Sequence, residues 1–263
     1  MQGNPLIYPT SARLKYQQAI DKLIAPMTAE YEREIKKIYK AFGVMDASIS
    51  SQFRILLNAL SAKWQARFTK AGKSIVDKML YRVEAAANNN LNASLKELSG
   101  GIAISPPKLP AGLADNLTAS IAENTALIKS IPAQYASRIH SVIMASLQSG
   151  GTGAGDIFKV IKEIGLSTDK RAKLIARDQT TKITATINAE RAKAVGIKKF
   201  IWRHSKGGSE PRPLHLKLDG EIFSYDDLPV IDERTGQRGL PGVLINCRCQ
   251  AIPVLDFGEQ VNG

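Results

Sequence analysis

With 263 residues, 44% of them hydrophobic and 6% aromatic, the chain is long enough for one large domain or two small ones and can bury a core, which sets aside wholesale disorder and an aromatic-rich β-sandwich. A formal net charge of +12 favours polyanionic partners, chiefly nucleic acid, unless the charge merely solvates helix surfaces. Two cysteines, Cys247 and Cys249, are too few for a disulfide framework, and no apolar run approaches the roughly 20 residues of a membrane span.

The first ten residues, with Pro5 and Pro9, lack the basic start and apolar core of a signal peptide, so a protein made and used in a reducing cytoplasm is expected. From Ser11 to about Ser99 the pattern predicts long helices. Ile35, Ile38 and Tyr39 recur at helical spacing, as do Ile55, Leu56 and Leu60, and Pro26 and Gly43 are the expected interruptions. The Ala- and Asn-rich run from Ala85 to Asn90 reads as a weak helix end. Gly100, Gly101, Pro106, Pro107 and Pro110 then mark a linker or exposed loop. Helical pattern resumes at about Leu113 and runs to Gln148, with a break expected near Pro132. The run Gly150 to Gly155 resembles a phosphate loop only superficially, because it lacks the lysine, and it reads as a turn before a helix at Asp156.

A further helix is expected to be capped by Ser167 or Thr168, with Asp169 in its first turn and Gly196 ending it. Ile183, Ile187 and Ala194 lie along one stripe of that helix. Beyond Gly196, the short stretches Ile197 to Trp202, Glu221 to Tyr225 and Asn246 to Val254 are bounded by Gly and Pro and read as strands. The fold class is therefore α+β: a mainly helical N-terminal two-thirds followed by a small mixed module of helix and short strands. The divisions are a helical region over 1–105, a linker and helix over 106–134, the mixed module with its helical approach over 135–255, and a tail over 256–263.

Charge is unevenly placed. Residues 167–217 hold 13 Lys and Arg against 4 Asp and Glu, whereas 218–263 hold 3 against 8, so a basic stretch precedes an acidic one that could neutralise it. On the basic helix, Arg177, Lys182, Arg191 and Lys193 are the candidates for phosphate contacts. A solvated helix face would give the same pattern.

The C-terminal module carries the chemistry. His215, Cys247 and Cys249, with His204 as the fourth nitrogen, are a candidate zinc site, since zinc takes neutral imidazole and thiolate in tetrahedral array. No cofactor is certain, and zinc is the metal that this set would take. Against it, residues two apart on a strand lie about 6.6 Å from one another, too far to share an ion without a bend. Two buried thiols packed as small apolar groups beside an orienting histidine is the preferred alternative. A cysteine nucleophile served by His215 and Arg248 stays open as a third reading, within a thiol- or metal-dependent hydrolase. A plain DNA-binding module is a fourth. In the packed-thiol reading, Arg248 could reach an acid among Asp226, Asp227 and Asp232, or a neighbouring subunit.

The order Trp202, Arg212-Pro213-Leu214-His215, Leu218-Asp219-Gly220-Glu221-Ile222-Phe223, Pro241-Gly242 and Asn246-Cys247-Arg248-Cys249 resembles the C-terminal signature of the phage Mu F-like head-morphogenesis family. Upstream, Leu174-Ile175-Ala176-Arg177 and Asn188-Ala189-Glu190-Arg191 resemble that family's helical approach to the tryptophan. The resemblance runs from about Tyr135 to Leu255. Two departures stand out: Asp178, where a small hydroxyl residue is expected after the arginine, and a long loop from Tyr225 to Leu240. The resemblance implies a non-enzymatic minor head or minor capsid protein of the virion. It would be assembled in the host cytoplasm and sit at the portal vertex or capsid interior, with portal, major capsid protein and packaged DNA as partners and no membrane. Some relatives carry a toxin or enzyme domain after this module, and none is expected here. Within the signature, Trp202, Arg212, His215, Asp219, Gly220, Asn246, Cys247, Arg248 and Cys249 are expected to act as a structural lock.

Overall fold

A computed structural model of the chain describes residues 1–42, 49–102, 104, 106, 110, 113–148, 154–207 and 210–255. The expected interruption at Gly43, the linker residue Pro107, the turn residues Gly150 to Gly153 and the tail 256–263 lie outside these. Among the described residues the chain runs α1 (Thr10–Phe42), α2 (Ile49–Leu98), α3 (Leu113–Gln148), α4 (Ala154–Ala194), β1 (Lys199–Arg203), α5 (Pro213–Lys217), β2 (Ile222–Ser224), β3 (Val230–Asp232), β4 (Gln237–Arg238) and β5 (Gln250–Val254). The α+β expectation is met: long helices come first and short antiparallel strands follow. None of the described helices is long and apolar enough to cross a membrane.

Four expected helix boundaries are absent, each for a local reason. Pro26 lies inside α1 on its exposed face, between the buried Ile24 and Met27, so the carbonyl it leaves unbonded is not buried. Pro132 lies inside α3, where burial of Ile128, Ile131 and Tyr135 around it offsets the lost hydrogen bond. The run Ala85 to Asn90 does not end α2, which continues through the buried Ala87, Leu91 and Leu95 to Leu98. Ser167 and Thr168 do not cap a helix. Their hydroxyls donate back to the Ile164 carbonyl at 3.0 and 2.8 Å, inside a continuous α4. At the far end of α4, Gly196 stops the helix as expected: the Ile197 amide bonds the Ala192 carbonyl at 3.0 Å and the Gly196 amide that of Lys193 at 2.9 Å.

The contacts sort into two compact units. One comprises Leu14–Asp77 and Ile121–Ala176. Its core is made of residues three and four apart on each helix: Tyr16, Ile20, Ile24, Met27, Tyr31 and Ile35 on α1, and Phe53, Leu57, Leu60, Trp64 and Phe68 on α2. Tyr31 packs edge-on against Tyr135 of α3, ring centroids 5.1 Å apart. Tyr39 meets Phe53 at 4.9 Å and Phe158 of α4 at 6.0 Å. The Tyr16 hydroxyl donates to Asn124 at 3.0 Å, and the Trp64 indole to Glu30 at 2.8 Å.

The second unit comprises Met1–Arg13, Lys78–Ser120 and Arg177–Gly263. Its antiparallel sheet has the order β2-β1-β5, with Phe200 opposite Phe223 on one side and Pro253 on the other. The first residues of the chain extend this sheet beyond β5: the Gly3 amide donates to the Pro253 carbonyl at 2.9 Å and the Leu6 amide to that of Ala251 at 3.0 Å. This segment read as part of the helical region. Leu91, Leu95 and Leu98 of α2, Ala189 and Ala192 of α4, and Phe200, Trp202 and Tyr225 form one cluster, which also holds both cysteines.

Candidate functional site

The site is built where α5 meets the turn that leads into β5. Sequence spacing placed Cys247 and Cys249 on a strand that would hold their sulfurs apart. The strand instead begins at Gln250, and the residues before it are bent. The bend comes from Asn246, whose φ of 63° is left-handed, a conformation that Asn tolerates better than most residues. The Cys247 amide closes the turn on the Leu244 carbonyl at 3.0 Å. Three side chains hold the turn from outside. Asp178 on α4 accepts the Asn246 amide at 3.1 Å, Arg177 bonds the Asn246 side chain, and Arg212 donates to the Ile245 carbonyl at 2.9 Å. The departure at position 178 therefore has a role, because a carboxylate can accept the turn's amide.

Both sulfurs consequently face one histidine. His215 Nδ1 lies 3.5 Å from Cys247 Sγ and 3.7 Å from Cys249 Sγ, with all three residues buried. Its other ring nitrogen, Nε2, is 3.1 Å from the Ile231 carbonyl. A carbonyl only accepts, so Nε2 carries the proton in the neutral ring and Nδ1 turns a bare lone pair toward the thiols. Trp202, with no exposed surface, packs edge-on against His215 at 5.2 Å between centroids. Asp219 holds the first strand's exit by accepting the His204 amide at 2.8 Å, and the Gly220 amide donates to the Trp202 carbonyl at 2.8 Å.

The two thiols are shifted in opposite directions. Cys247 is drawn well below the ordinary thiol range, first by the hydrogen bond from Cys249 and then by His215, and the Gly242 amide donates to its sulfur at 3.3 Å. Cys249 is pushed up, first by its bond to Cys247 and then by burial. Tyr8, which no sequence signal singled out, spans the site from the N-terminal segment: its hydroxyl lies 3.1 Å from the Pro241 carbonyl and also bonds that of Cys249.

A cavity of about 560 Å³ opens over this cluster, lined by His215, both cysteines and the guanidinium groups of Arg177, Arg212 and Arg248. His204 lines it too, but its Nδ1 accepts the Lys206 amide at 3.0 Å. Among the described residues the ligand atoms that cluster within 4.8 Å are those of His215, Cys247 and Cys249, without His204. Arg248 is exposed at the cavity, while Asp227 and Asp232 lie beside Arg238 and Arg234 instead.

The four phosphate-contact candidates on α4 do not form one exposed face. Arg177 bonds Asn246 and Asp178 but still lines the cavity. Lys182 is half-buried, and Lys193 pairs with Glu190 at 2.7 Å. Arg191 is 1% exposed and bonds Glu84 at 3.0 Å, which leaves its guanidinium no route to a phosphate. A buried cation and a solvated one look alike in sequence, and the buried polar stripe Thr180, Thr184, Asn188 and Arg191 shows which face α4 turns inward.

Residues 137–252 match the family model described as Phage Mu protein F like protein. This range contains every signature residue from Trp202 to Cys249, and it bears out for that segment the Mu F-like resemblance carried by their order. The chain is also 30% identical, over 261 residues, to an uncharacterized protein of Haemophilus influenzae strain Rd. That similarity covers 98% of this chain and 56% of the relative, so the chain spans little more than half the length of the curated relative it matches. No solved structure matches.

Proposed function

We propose that this chain is a structural component of a phage head: a minor head protein that associates with the portal vertex or the capsid interior and supports assembly of the head and passage of its DNA. The observation that carries the reading is the coincidence of the Mu F-like match over 137–252 with a module in which the signature residues Trp202, His215, Cys247 and Cys249 are buried. Trp202 and His215 fill its core, Asp219 and Asn246 fix its turns, and Arg212 ties one turn to α5. Residues used in this way specify a shape that a partner can recognise, which is what an assembly protein requires.

Mass spectrometry of purified mature particles and proheads, with cross-linking to the portal, tests this reading. Presence in both particles, with cross-links to the portal or the inner capsid surface, is expected. Absence from both would sink it.

The cavity arginines favour one secondary reading, contact with DNA phosphates at Arg177, Arg212 and Arg248. Duplex affinity should then fall steeply as salt rises, and replacing Arg248 should flatten the slope by about one counterion. No binding at low ionic strength would remove it.

A further inference from the structure

We infer that His215 Nδ1, Cys247 Sγ and Cys249 Sγ together bind a zinc-class divalent cation whose fourth position faces the arginine-lined cavity. This goes beyond the role in the phage head and does not depend on it.

Geometry is the first argument. With metal–sulfur and metal–nitrogen bonds of about 2.3 and 2.1 Å, two ligands of a tetrahedral zinc lie about 3.6 Å apart. The two nitrogen–sulfur separations are 3.5 and 3.7 Å, and all three ligand atoms lie within 4.8 Å of one another. An ion can therefore be seated with little movement of the chain. One S–H could donate to the Nδ1 lone pair, but a single lone pair does not account for two thiols converging on it.

The second argument is the tautomer. A histidine that ligates through one nitrogen characteristically donates its other N–H to a carbonyl or carboxylate, which fixes the ring and raises its basicity. His215 does this through Nε2 and the Ile231 carbonyl at 3.1 Å. The Gly242 amide, 3.3 Å from Cys247 Sγ, supplies the N–H contact that a thiolate ligand accepts.

The donor set gives the third. Two soft sulfurs and one imidazole select zinc over magnesium or calcium. The described cluster supplies three protein ligands, and the cavity of about 560 Å³ leaves the fourth position to water or a solute. The ion would tie α5 to the turn before β5, joining residues that are 32 and 34 positions apart in sequence.

The test uses the full chain, tag removed, kept reduced and dialysed against metal-free buffer. Elemental analysis is expected to find about one equivalent of zinc. After removal of the zinc, cobalt(II) should produce near-ultraviolet thiolate charge-transfer bands together with the visible bands of a tetrahedral ion. Cys247→Ser and Cys249→Ser should each lose the charge-transfer intensity in part, and the double substitution entirely, with the far-ultraviolet helical signal unchanged. Two results overturn the inference. One is reduced, folded protein that holds no zinc and gives no cobalt spectrum. The other is a cobalt spectrum that survives in the double serine variant. Because the wild-type measurements decide on their own, a variant that fails to fold does not shield the claim.

Discussion

The two tryptophans of the chain sit in regions that are held together by different means. Trp64, on α2, belongs to an apolar ridge that repeats every three or four residues, and its indole needs one partner, Glu30 at 2.8 Å. Each neighbour on that ridge makes the same kind of contact, so the region is stabilised by many interchangeable terms. Trp202, on β1, packs on His215 and Phe223, and those residues are in turn placed by a carbonyl, a bent turn and a strand register. No contact there is repeated. Periodic regions should lose stability in proportion to the volume removed, and the module should fail at single positions.

The largest effect should come from truncating these tryptophans. Either substitution to Ala is expected to cost about 3–5 kcal/mol, as for other fully buried aromatic residues. The consequences should differ in kind. Trp202→Ala should also speed the reaction of Cys247 and Cys249 with a thiol reagent, because the indole edge that covers His215 is gone. Trp64→Ala should instead be registered in the helical circular-dichroism melt. If the thiols of Trp202→Ala stay as slow as those of the wild type, the account of the module as a single lock fails.

The same contrast explains what the sequence revealed and what it hid. The outer limits of the helical stretches and of β1, β2 and β5 were legible to within a few residues, because periodicity and Gly196 are local signals. His215, Cys247 and Cys249 were legible as a set, but the strand spacing argued against their convergence. The bend at Asn246 that brings them together is made by Asp178, 68 residues away, and by Arg212. Tyr8 and the pairing of Gly3 and Leu6 with β5 were invisible for the same reason: nothing near residues 1–9 encodes a partner near 250. The helix boundaries expected at Pro26 and Thr168 were misplaced because Pro26 falls on the exposed face of α1 and the Thr168 hydroxyl bonds the Ile164 carbonyl inside a continuous α4.

Two glycines extend the comparison at smaller magnitude. Gly242 has φ of 90°, and a Cβ there would lie 2.1 Å from the Tyr8 hydroxyl and 2.9 Å from Thr181. Gly242→Ala would have to break the hydrogen bonds of Tyr8 as well as adopt a left-handed backbone, which alone costs about 1–2 kcal/mol. A total of about 2–3 kcal/mol is expected from chemical denaturation once one neutral hydrogen bond is added. Gly72, buried on α2, would place a Cβ 3.7 Å from Ile128 and from Thr125, ordinary contact distances. Gly72→Ala should therefore stabilise by about 0.5–1 kcal/mol through helix propensity. Equal losses at the two sites would erase the distinction between a repeated ridge and a built turn.

The smallest effect should be electrostatic and confined to the helical region. Glu30 is held below the usual carboxylate range, first by the hydrogen bond from Lys63 at 2.5 Å, with Trp64 and Arg33 adding to it. A carboxylate whose pKa is depressed by folding contributes stability above its unfolded pKa and loses it as pH falls through the folded value. Unfolding midpoints should thus drop on acidification below the ordinary carboxylate range, and Glu30→Gln should flatten part of that drop. Gln can still accept the Trp64 indole N–H, so the variant isolates the charge. The Lys63 side chain is 44% exposed, which keeps the pair in the range of surface ion pairs, below about 1 kcal/mol, and lets salt screen it. The difference between wild type and Glu30→Gln at neutral pH should therefore shrink in high salt. A difference that persists there would mean that Glu30 acts through its packing on Trp64 rather than through its charge.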